Sequence, residues 1–356
     1  MSLNRKIIVA LLITCLLSTY ITYIICKNKF KNAVPAPISA DTVKQAASSS
    51  SGNYKVTRID GYNYIRPLVS VEKEEEAASL QNLKTSINNK IEEYKKAGVL
   101  QSAAVYIRVF KNSEWMCIND TEMYFPGSII KVAGLLTYLR MEEANPGILN
   151  KKLSFESPKE FIPNQTYNSK QIELGKSYTV KELLKYMIAY SDNNATYLLN
   201  KNVDMAVFKK LFTDLNIPLQ GINNGNIKMN VKDCSMLIKT IYNSSYLSID
   251  HSEFAAELLA QCDFKAGMVK ALPANIKIAH KFGEMGDANT RQLHESGIIY
   301  INSSPYLLTI MTKGYDINKL PAVISDITIL TYMDISKNPE FAYNNNSGAV
   351  SQTHSK

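Results

Sequence analysis

Cysteine and histidine are scarce in this sequence, and neither falls into a framework. The chain has five cysteines and four histidines among 356 residues. Cys15 and Cys26 lie in an apolar N-terminal run and the other three are far apart, so neither a disulfide set nor a metal knot follows. No histidine has a second ligand at the spacing of a zinc site. We therefore expect buried free thiols, no metal and no cofactor.

Arginine-rich helices and alternating aromatic and basic residues are also missing. The net charge of +8 comes from lysines spread along the chain, a pattern that does not indicate a nucleic-acid partner. It fits attraction to an anionic membrane or cell envelope better. The hydrophobic fraction of 46% is sufficient for a core, and the length allows one large domain or two small ones.

Charged residues are absent from 7–26, a run long enough as a helix to cross a bilayer. We interpret 1–6 as a short N-terminal segment and 7–26 as a transmembrane anchor. Lys27 and Lys29 follow the run, which favours a retained anchor over a cleaved leader, although the small residues at 35–40 leave cleavage open. Positive residues flank both ends of the run, so charge alone does not set its orientation.

Residues 27–73 are interpreted as a flexible tether and juxtadomain segment. A serine-rich stretch ends at Gly52, and one or two strands are predicted within 54–71. Residues 74–335 are predicted to form one folded domain. The asparagine-rich end, 336–356, is expected to be a disordered tail.

The folded region has strand patterns at both ends and helix patterns between them. A helix (74–97) and two strands (103–110 and 114–118) precede the helical part, and three short strands with a closing helix follow it. Thr179 and Glu182 form a capping-box pattern that predicts a helix start. The fold class is therefore predicted as α+β, with an antiparallel sheet completed by N- and C-terminal segments and a mainly helical middle.

A turn opens the apolar stretch 129–139, which predicts a buried helix. Ser128 falls in its first turn, and Lys131 follows three residues later on the same helical face. A serine hydroxyl needs a neighbouring base, and a lysine can act as one when burial and nearby cations lower its pKa. The same spacing at Ser70 and Lys73 lies in a charged segment. The alternative interpretation of Ser128 is a helix cap.

Two further motifs follow in order: Ser191–Asn193 (Ser-Asp-Asn) at the end of a helix pattern, and Lys281–Gly283 (Lys-Phe-Gly) on a strand pattern. Taken singly, they could be a helix-ending turn and an exposed strand lysine. With Ser128 and Lys131, their order and spacing resemble the serine β-lactamase and penicillin-binding-protein superfamily, nearest to class A β-lactamases. The resemblance covers about 74–333.

The resemblance implies a catalytic role for four residues. Ser128 would be the nucleophile, Lys131 its base, and Ser191 the proton shuttle to the leaving nitrogen. The oxyanion hole would consist of the backbone N–H groups of Ser128 and Glu284, and the helix N-terminus would add to it.

Substrate binding would fall to the remaining motif positions. Asn193 would bind the substrate amide, and Lys281 would supply positive charge for its carboxylate. The family has Thr or Ser where this chain has Phe282, and the lost hydrogen bond is worth about 1–3 kcal/mol in a buried site. A different substrate shape is therefore expected. Gly283 would allow the substrate to approach the strand closely.

A glutamate is missing where class A β-lactamases carry the base for deacylation. No glutamate occurs between Asn193 and Lys232. Phe212 stands three residues before Leu215 and Asn216, where the family's Glu-x-x-Leu-Asn pattern would place it. Without a dedicated base for the attacking water, the acyl-enzyme is expected to persist.

These features predict a membrane-anchored serine hydrolase whose catalytic domain lies outside the cytoplasm, where β-lactams and peptidoglycan are met. Two substrates stay open: a β-lactam, favoured by the resemblance, and a D-Ala-D-Ala stem peptide of peptidoglycan, favoured by the missing glutamate. A catalytically silent envelope-binding module is the third alternative, which the complete residue set disfavours. The oligomeric state is not predicted.

Overall fold

The computed structural model describes residues 54–157, 166–167, 169–218, 221, 226–286, 289–301 and 304–338. The predicted anchor at 7–26 lies outside these residues, as do residues 339–356 of the predicted tail. Among the helices that are described, none combines the length and the apolar content needed to cross a bilayer.

A five-stranded antiparallel sheet forms the centre of the domain. The described residues form nine strands: β1 (Tyr54–Arg58), β2 (Leu68–Lys73), β3 (Leu100–Val109), β4 (Trp115–Ile118), β5 (Lys152–Ser154), β6 (Ser177–Thr179), β7 (Lys277–Gly286), β8 (Arg291–Tyr300) and β9 (Tyr306–Gly314). The main sheet has the order β4-β3-β9-β8-β7. Its strands come from both ends of the domain, so the predicted sheet completed by distant segments is confirmed. β7 lies at one edge.

Helices cover both faces of this sheet. The described residues form nine: α1 (Gln81–Lys96), α2 (Lys131–Ala144), α3 (Val180–Ala189), α4 (Asn193–Asn200), α5 (Met205–Asp214), α6 (Val231–Tyr242), α7 (Ile249–Ala260), α8 (Met268–Ala271) and α9 (Leu320–Lys337). Successive side chains of a strand point to opposite faces. In β3, Val105 and Ile107 therefore join a core with α1 and α9, whereas Ala104 and Tyr106 join the core of α2 to α7.

The predicted helical middle is confirmed, with two local differences. Glu182 N donates to Thr179 Oγ1 at 3.2 Å and Thr179 N donates to Glu182 Oε2 at 2.7 Å, which is the capping box predicted for α3. The first helix begins at Gln81, not at 74. The hairpin of β5 and β6 is not predicted by the sequence, because three-residue strands carry too little periodicity.

The hairpin of β1 and β2 precedes the domain and is fixed to it. The Glu72 carboxylate receives Arg108, at 3.3 Å, and Lys239, and both cations are almost fully buried. Trp115 Nε1 donates to Lys73 O at 2.7 Å. Strands predicted within 54–71 are thus confirmed, and the end of the segment predicted as a tether is folded against the sheet.

The expected state of the thiols is confirmed for the described cysteines. Cys117, Cys234 and Cys262 are buried and free, whereas Cys15 and Cys26 lie outside the described residues.

Candidate active site

Ser128 lies in a 3₁₀ turn, Gly127–Ile130, that leads directly into α2. It sits inside the turn, so the alternative of a simple helix cap does not apply. Gly127 has a φ of +54°, and a Cβ there would lie 2.7 Å from Glu284 O. Only glycine meets both conditions. The turn therefore packs directly against β7, with Ser128 only 3% exposed.

Lys131 is buried at the start of α2, and its amine contacts the Ser191–Asn193 motif. Lys131 Nζ lies 2.7 Å from Ser191 O, 2.8 Å from Asn193 Oδ1 and 3.3 Å from Ser191 Oγ. Burial lowers the pKa of Lys131 well below its ordinary value, and the charge of Lys281 lowers it further. In its neutral form a lysine amine has two N–H groups, which can donate hydrogen bonds to Ser191 O and Asn193 Oδ1. The lone pair of that form can then accept a hydroxyl proton.

A strained turn brings Ser191 and Asn193 to that amine. Ser191 has a φ of +55°, which is uncommon for a residue with a side chain. Asp192 holds the turn: its Oδ1 accepts from Asn194 N at 2.8 Å, and its Oδ2 accepts from Ile172 N at 2.7 Å. Burial raises the pKa of Asp192, and these N–H groups oppose the rise. The same carboxylate caps α4.

Gly283 lies where β7 meets the serine turn. A Cβ at Gly283 would lie 2.4 Å from Pro126 O and 2.8 Å from Ser128 N. Glycine is therefore required by packing between the strand and the turn, a reason that differs from the predicted approach of a substrate. The backbone nitrogens of Ser128 and Glu284 both lie at this contact, which is compatible with the predicted oxyanion hole.

Phe282 is sealed away from the cleft, and its predicted contact with a substrate is corrected here. Its ring is fully buried and stacks on Phe264 with the centroids 4.5 Å apart, while Tyr167 meets it edge-on at 6.4 Å. Phe282 is not among the residues that line the cleft. An aromatic cluster fills the space beside the strand.

Lys281 is also fully buried, and the predicted contact with a substrate carboxylate stays a prediction. Its Nζ lies 4.2 Å from the centre of the Phe282 ring, a cation–π distance. It has no hydrogen-bond partner among the described residues. Burial lowers the pKa of Lys281 to about 8, although Cys262, Asp263 and Glu284 oppose the change.

A buried ion pair stands behind this strand and is not predicted by the sequence. His280 Nδ1 lies 2.7 Å from Glu295 Oε1, and Met268 N donates to Glu295 Oε2 at 2.9 Å. Burial disfavours the charged imidazole, but Cys262 and Glu295 raise the pKa of His280 to about 10. The pair therefore links β7 to β8 and α8 as two opposite charges. The spacing of His280 and Glu295 in the sequence does not predict this ion pair, because the contact depends on the register of β7 and β8.

The cleft beside Ser128 has a volume of about 410 Å³ and is mostly apolar. Among the described residues that line it, Lys131 and Glu284 are the only ones with charged side-chain types. An adjoining apolar cavity of about 250 Å³ shares Lys131 and Ile227 with the cleft and adds Phe208. No described carboxylate lies on this side of Lys131.

Phe212 does not occupy the position of a deacylating base. α5 continues through Asp214, and Phe212 is fully buried on its inner side. Phe212 lines neither the cleft nor the adjoining cavity, whereas Ile227 lines both together with Lys131. The second Ser-x-x-Lys pattern, Ser70 to Lys73, lies on β2, and neither of these two residues lines the cleft.

The family model for the beta-lactamase enzyme family matches residues 82–334. The chain belongs to this family. The match begins at α1 and ends within α9, so it includes every residue assigned to the site. No curated protein matches the sequence.

Solved structures of β-lactamase-family proteins share the fold of this family member. PBP-A is 19% identical, with 73% of this chain and 97% of that chain covered and a TM-score of 0.61. A class A beta-lactamase from Mycobacterium abscessus is 15% identical, with 70% and 99% covered and a TM-score of 0.60. TLA-1 extended spectrum beta-lactamase is 17% identical, with 73% and 100% covered and a TM-score of 0.62. At these identities the likeness shows the fold alone.

Proposed function

We propose that this β-lactamase-family chain is a serine hydrolase that opens β-lactam amide bonds through an acyl-Ser128 intermediate and releases the acyl group slowly. The observation that supports it best is the buried Lys131 amine, which contacts Ser191 and Asn193 and whose pKa is lowered well below its ordinary value by burial. A buried amine with no chemical task would be an unfavourable feature of a helix core.

Acylation follows from these contacts. Lys131 takes the proton of the Ser128 hydroxyl as the oxygen attacks the carbonyl carbon, and the backbone N–H groups of Ser128 and Glu284 stabilise the oxyanion. The carbon–nitrogen bond then breaks. Ser191, 3.3 Å from the amine, passes a proton from Lys131 to the leaving nitrogen.

Deacylation needs a second base, and the apolar side of the cleft offers none among the described residues. Ile227 and Phe208 line the apolar cavity together with Lys131, and no described residue with a carboxylate lines it. The acyl-enzyme is therefore expected to be long-lived. A mutant of PBP-A, one of the structural neighbours, has been solved as an acyl-enzyme complex with penicillin-G.

The lack of a deacylating base among the described residues also supports a second substrate class, the D-Ala-D-Ala stem peptide of peptidoglycan. A long-lived β-lactam adduct is compatible with an enzyme whose acyl group passes to a different acceptor. We also propose that the catalytic domain lies outside the cytoplasm and is held by an anchor at 7–26. The uncharged run and the flanking lysines support that location.

Incubation of the full-length chain with benzylpenicillin and with its methyl ester, followed by intact-mass and peptide mass spectrometry, tests the proposal. We expect an adduct of one whole β-lactam on the peptide that contains Ser128, and none on Ser128→Ala. No adduct on the folded wild-type chain, or equal labelling of the variant, would contradict it. Release of D-Ala from a stem peptide would identify the second substrate class.

A further inference from the structure

We propose that the hairpin of β1 and β2 is a membrane-contact surface, which lays exposed apolar side chains on a bilayer that contains anionic lipid. The inference goes beyond the proposed chemistry of Ser128 and rests on the proposed anchor at 7–26, which would bring the hairpin to that bilayer. The hairpin ends at Lys73 and the family match begins at residue 82. It therefore lies outside the part of the chain that matches the family.

Exposed large hydrophobic side chains are concentrated in this hairpin. Among the described residues there are fifteen such side chains, and seven of them lie within 54–71. One of the seven, Tyr62, accepts a hydrogen bond from Arg140 Nη2 at 3.4 Å. A cluster of this kind indicates a contact site, whereas single exposed apolar residues need no explanation. The other six form the hairpin patch: Tyr54, Val56, Tyr64, Ile65, Leu68 and Val71.

The domain holds the hairpin from its other face. Val56 lies opposite Val71 in the register of β1 and β2. Because successive side chains of a strand point to opposite faces, Val71 points away from the face that carries Glu72. The Glu72 carboxylate is the group that pairs with Arg108 and Lys239 in the domain. Val56 and Val71 are therefore held on a face that the domain leaves uncovered.

Charge favours a bilayer over a second copy of this chain as the occupant. The hairpin, 54–73, has four lysine and arginine side chains against two acidic ones. Of the acids, Asp60 lies 3.6 Å from Arg66 and Glu72 pairs with the domain. Arg58 is exposed, and its Nη1 donates to Arg66 O at 2.8 Å. Two copies would bring like charges together, whereas anionic headgroups attract exposed arginine and lysine.

The place of the hairpin in the chain supports the same occupant. The uncharged run proposed as the anchor ends at Cys26, and only residues 27–53 separate it from Tyr54. The hairpin is therefore the first described element after the anchor. Tyrosine is enriched where proteins meet the bilayer interface, because its ring is apolar and its hydroxyl is polar. Tyr54 and Tyr64 give the patch this character.

Quenching of a tryptophan by lipid tests the proposal on the full-length chain in nanodiscs of phosphatidylcholine and phosphatidylglycerol. Tyr64 is 97% exposed, so Tyr64→Trp adds a probe to the patch without disturbing a core. Its emission beyond that of the wild type, which has one tryptophan, is measured with and without brominated phosphatidylcholine. We expect bromine to quench this added emission.

Tyr315→Trp is the matched control at another exposed tyrosine. Tyr315 follows Gly314, which pairs with Leu100 at one end of β3, whereas the hairpin contacts Arg108 near the other end. We expect bromine to leave the added emission of Tyr315→Trp unchanged. Equal quenching at the two probes would overturn the inference, and so would an absence of quenching at Tyr64→Trp.

A charge placed in the patch sharpens the test. Ile65→Asp, made in the Tyr64→Trp chain, should abolish the quenching, because a carboxylate is repelled by anionic headgroups and is costly to bury in lipid. Ile249→Asp makes the same change at an exposed isoleucine of α7 and should leave the quenching unchanged. Quenching that Ile65→Asp does not reduce would overturn the inference.

The outcomes separate the hairpin contact from the anchor and from the chemistry. A chain that co-elutes with nanodiscs but shows no quenching at Tyr64→Trp keeps the anchor and loses the hairpin contact. A chain that does not co-elute with them loses both. A dimer in detergent that Ile65→Asp dissociates would assign the patch to a second copy and overturn the inference. None of these measurements depends on acylation of Ser128.

Discussion

The cleft has two walls that differ in how closely they follow the sequence motifs. On the helical wall, the buried Lys131 amine contacts Ser191 and Asn193 at 2.7–3.3 Å, and Ser128 lines the same cleft. On the strand wall, the middle motif residue, Phe282, faces away into an aromatic cluster. Glu284 lies two residues further along this strand, and its backbone nitrogen lies at the serine turn. The two walls therefore differ in role: the helical wall brings its motif side chains together at one amine, whereas the strand wall uses its middle motif residue for packing.

The largest effect is expected from removing the base of the helical wall. Lys131→Met should reduce the rate of Ser128 acylation by about 10²–10⁴-fold, because it removes the buried amine that contacts Ser191 and Asn193. Stopped-flow or intact-mass kinetics measure it. Lys185→Met on the exposed face of α3 is the control and should acylate at the wild-type rate. Equal rates in the two variants would remove Lys131 from the mechanism.

Breaking the buried ion pair of the strand wall should lower the free energy of unfolding. Glu295→Gln leaves the charged His280 without its carboxylate, and removal of one partner of a buried pair costs about 3–5 kcal/mol. Urea unfolding measures it. A loss below about 1 kcal/mol would show that the pair does not hold β7.

The same pair gives a pH dependence of known sign. The pKa of His280 rises on folding from 6.5 to about 10. Its contribution to stability is therefore complete below pH 6.5 and disappears as the pH rises through about 10. Lys281, with a pKa lowered to about 8, acts in the opposite direction, so the difference between the wild type and His280→Asn measures the histidine together with the Cys262 thiol, whose pKa His280 lowers. A difference that is independent of pH would contradict this assignment.

A carboxylate base for deacylation can be added to the helical wall. Ile227→Glu places a carboxylate beside Lys131 at the border of cleft and apolar cavity. We expect loss of the Ser128 adduct to accelerate by about 10–100-fold, because a general base can then activate water. Ile227→Gln has similar size and hydrogen bonding but no basic carboxylate, and should keep the slow wild-type rate. Equal acceleration by both would point to water access rather than base catalysis.

The smallest effects compare one glycine from each wall. Gly283→Ala forces a Cβ to within 2.4 Å of Pro126 O and should cost about 1–3 kcal/mol of stability. Gly134→Ala in α2 meets Met187 Cε at 3.6 Å and Met187 Sδ at 3.8 Å, both ordinary contacts, and should stabilise the domain by about 0.5–1 kcal/mol. Thermal unfolding of both variants measures the contrast, and effects of the same sign would contradict it.

The helical wall could be predicted because each of its residues lies next to a strong local signal. Thr179 and Glu182 fix the start of α3, and an uninterrupted apolar run fixes α2. Lys131 begins α2, Ser191 follows the end of α3 and Asn193 begins α4, so helix ends set three of the four positions. The contact at Lys131 Nζ follows once the two helices pack.

The strand wall could not be predicted to the same extent. His280 to Gly283 are all buried, so no alternation of polar and apolar residues shows which side chain faces the cleft. The His280–Glu295 contact depends on strand register. The Leu-Asn pattern at 215–216 places Phe212 where the family has a glutamate. In the structure, α5 places the Phe212 side chain in the core.

The most direct test of the account is the lifetime of the Ser128 adduct. The full-length chain is acylated with the methyl ester of benzylpenicillin, the free ester is removed, and the intact mass is followed in time. We predict an adduct on Ser128 that decays slowly and persists after the ester is gone. Rapid return to the unmodified mass in wild type, at a rate that Ile227→Glu does not increase, would contradict it.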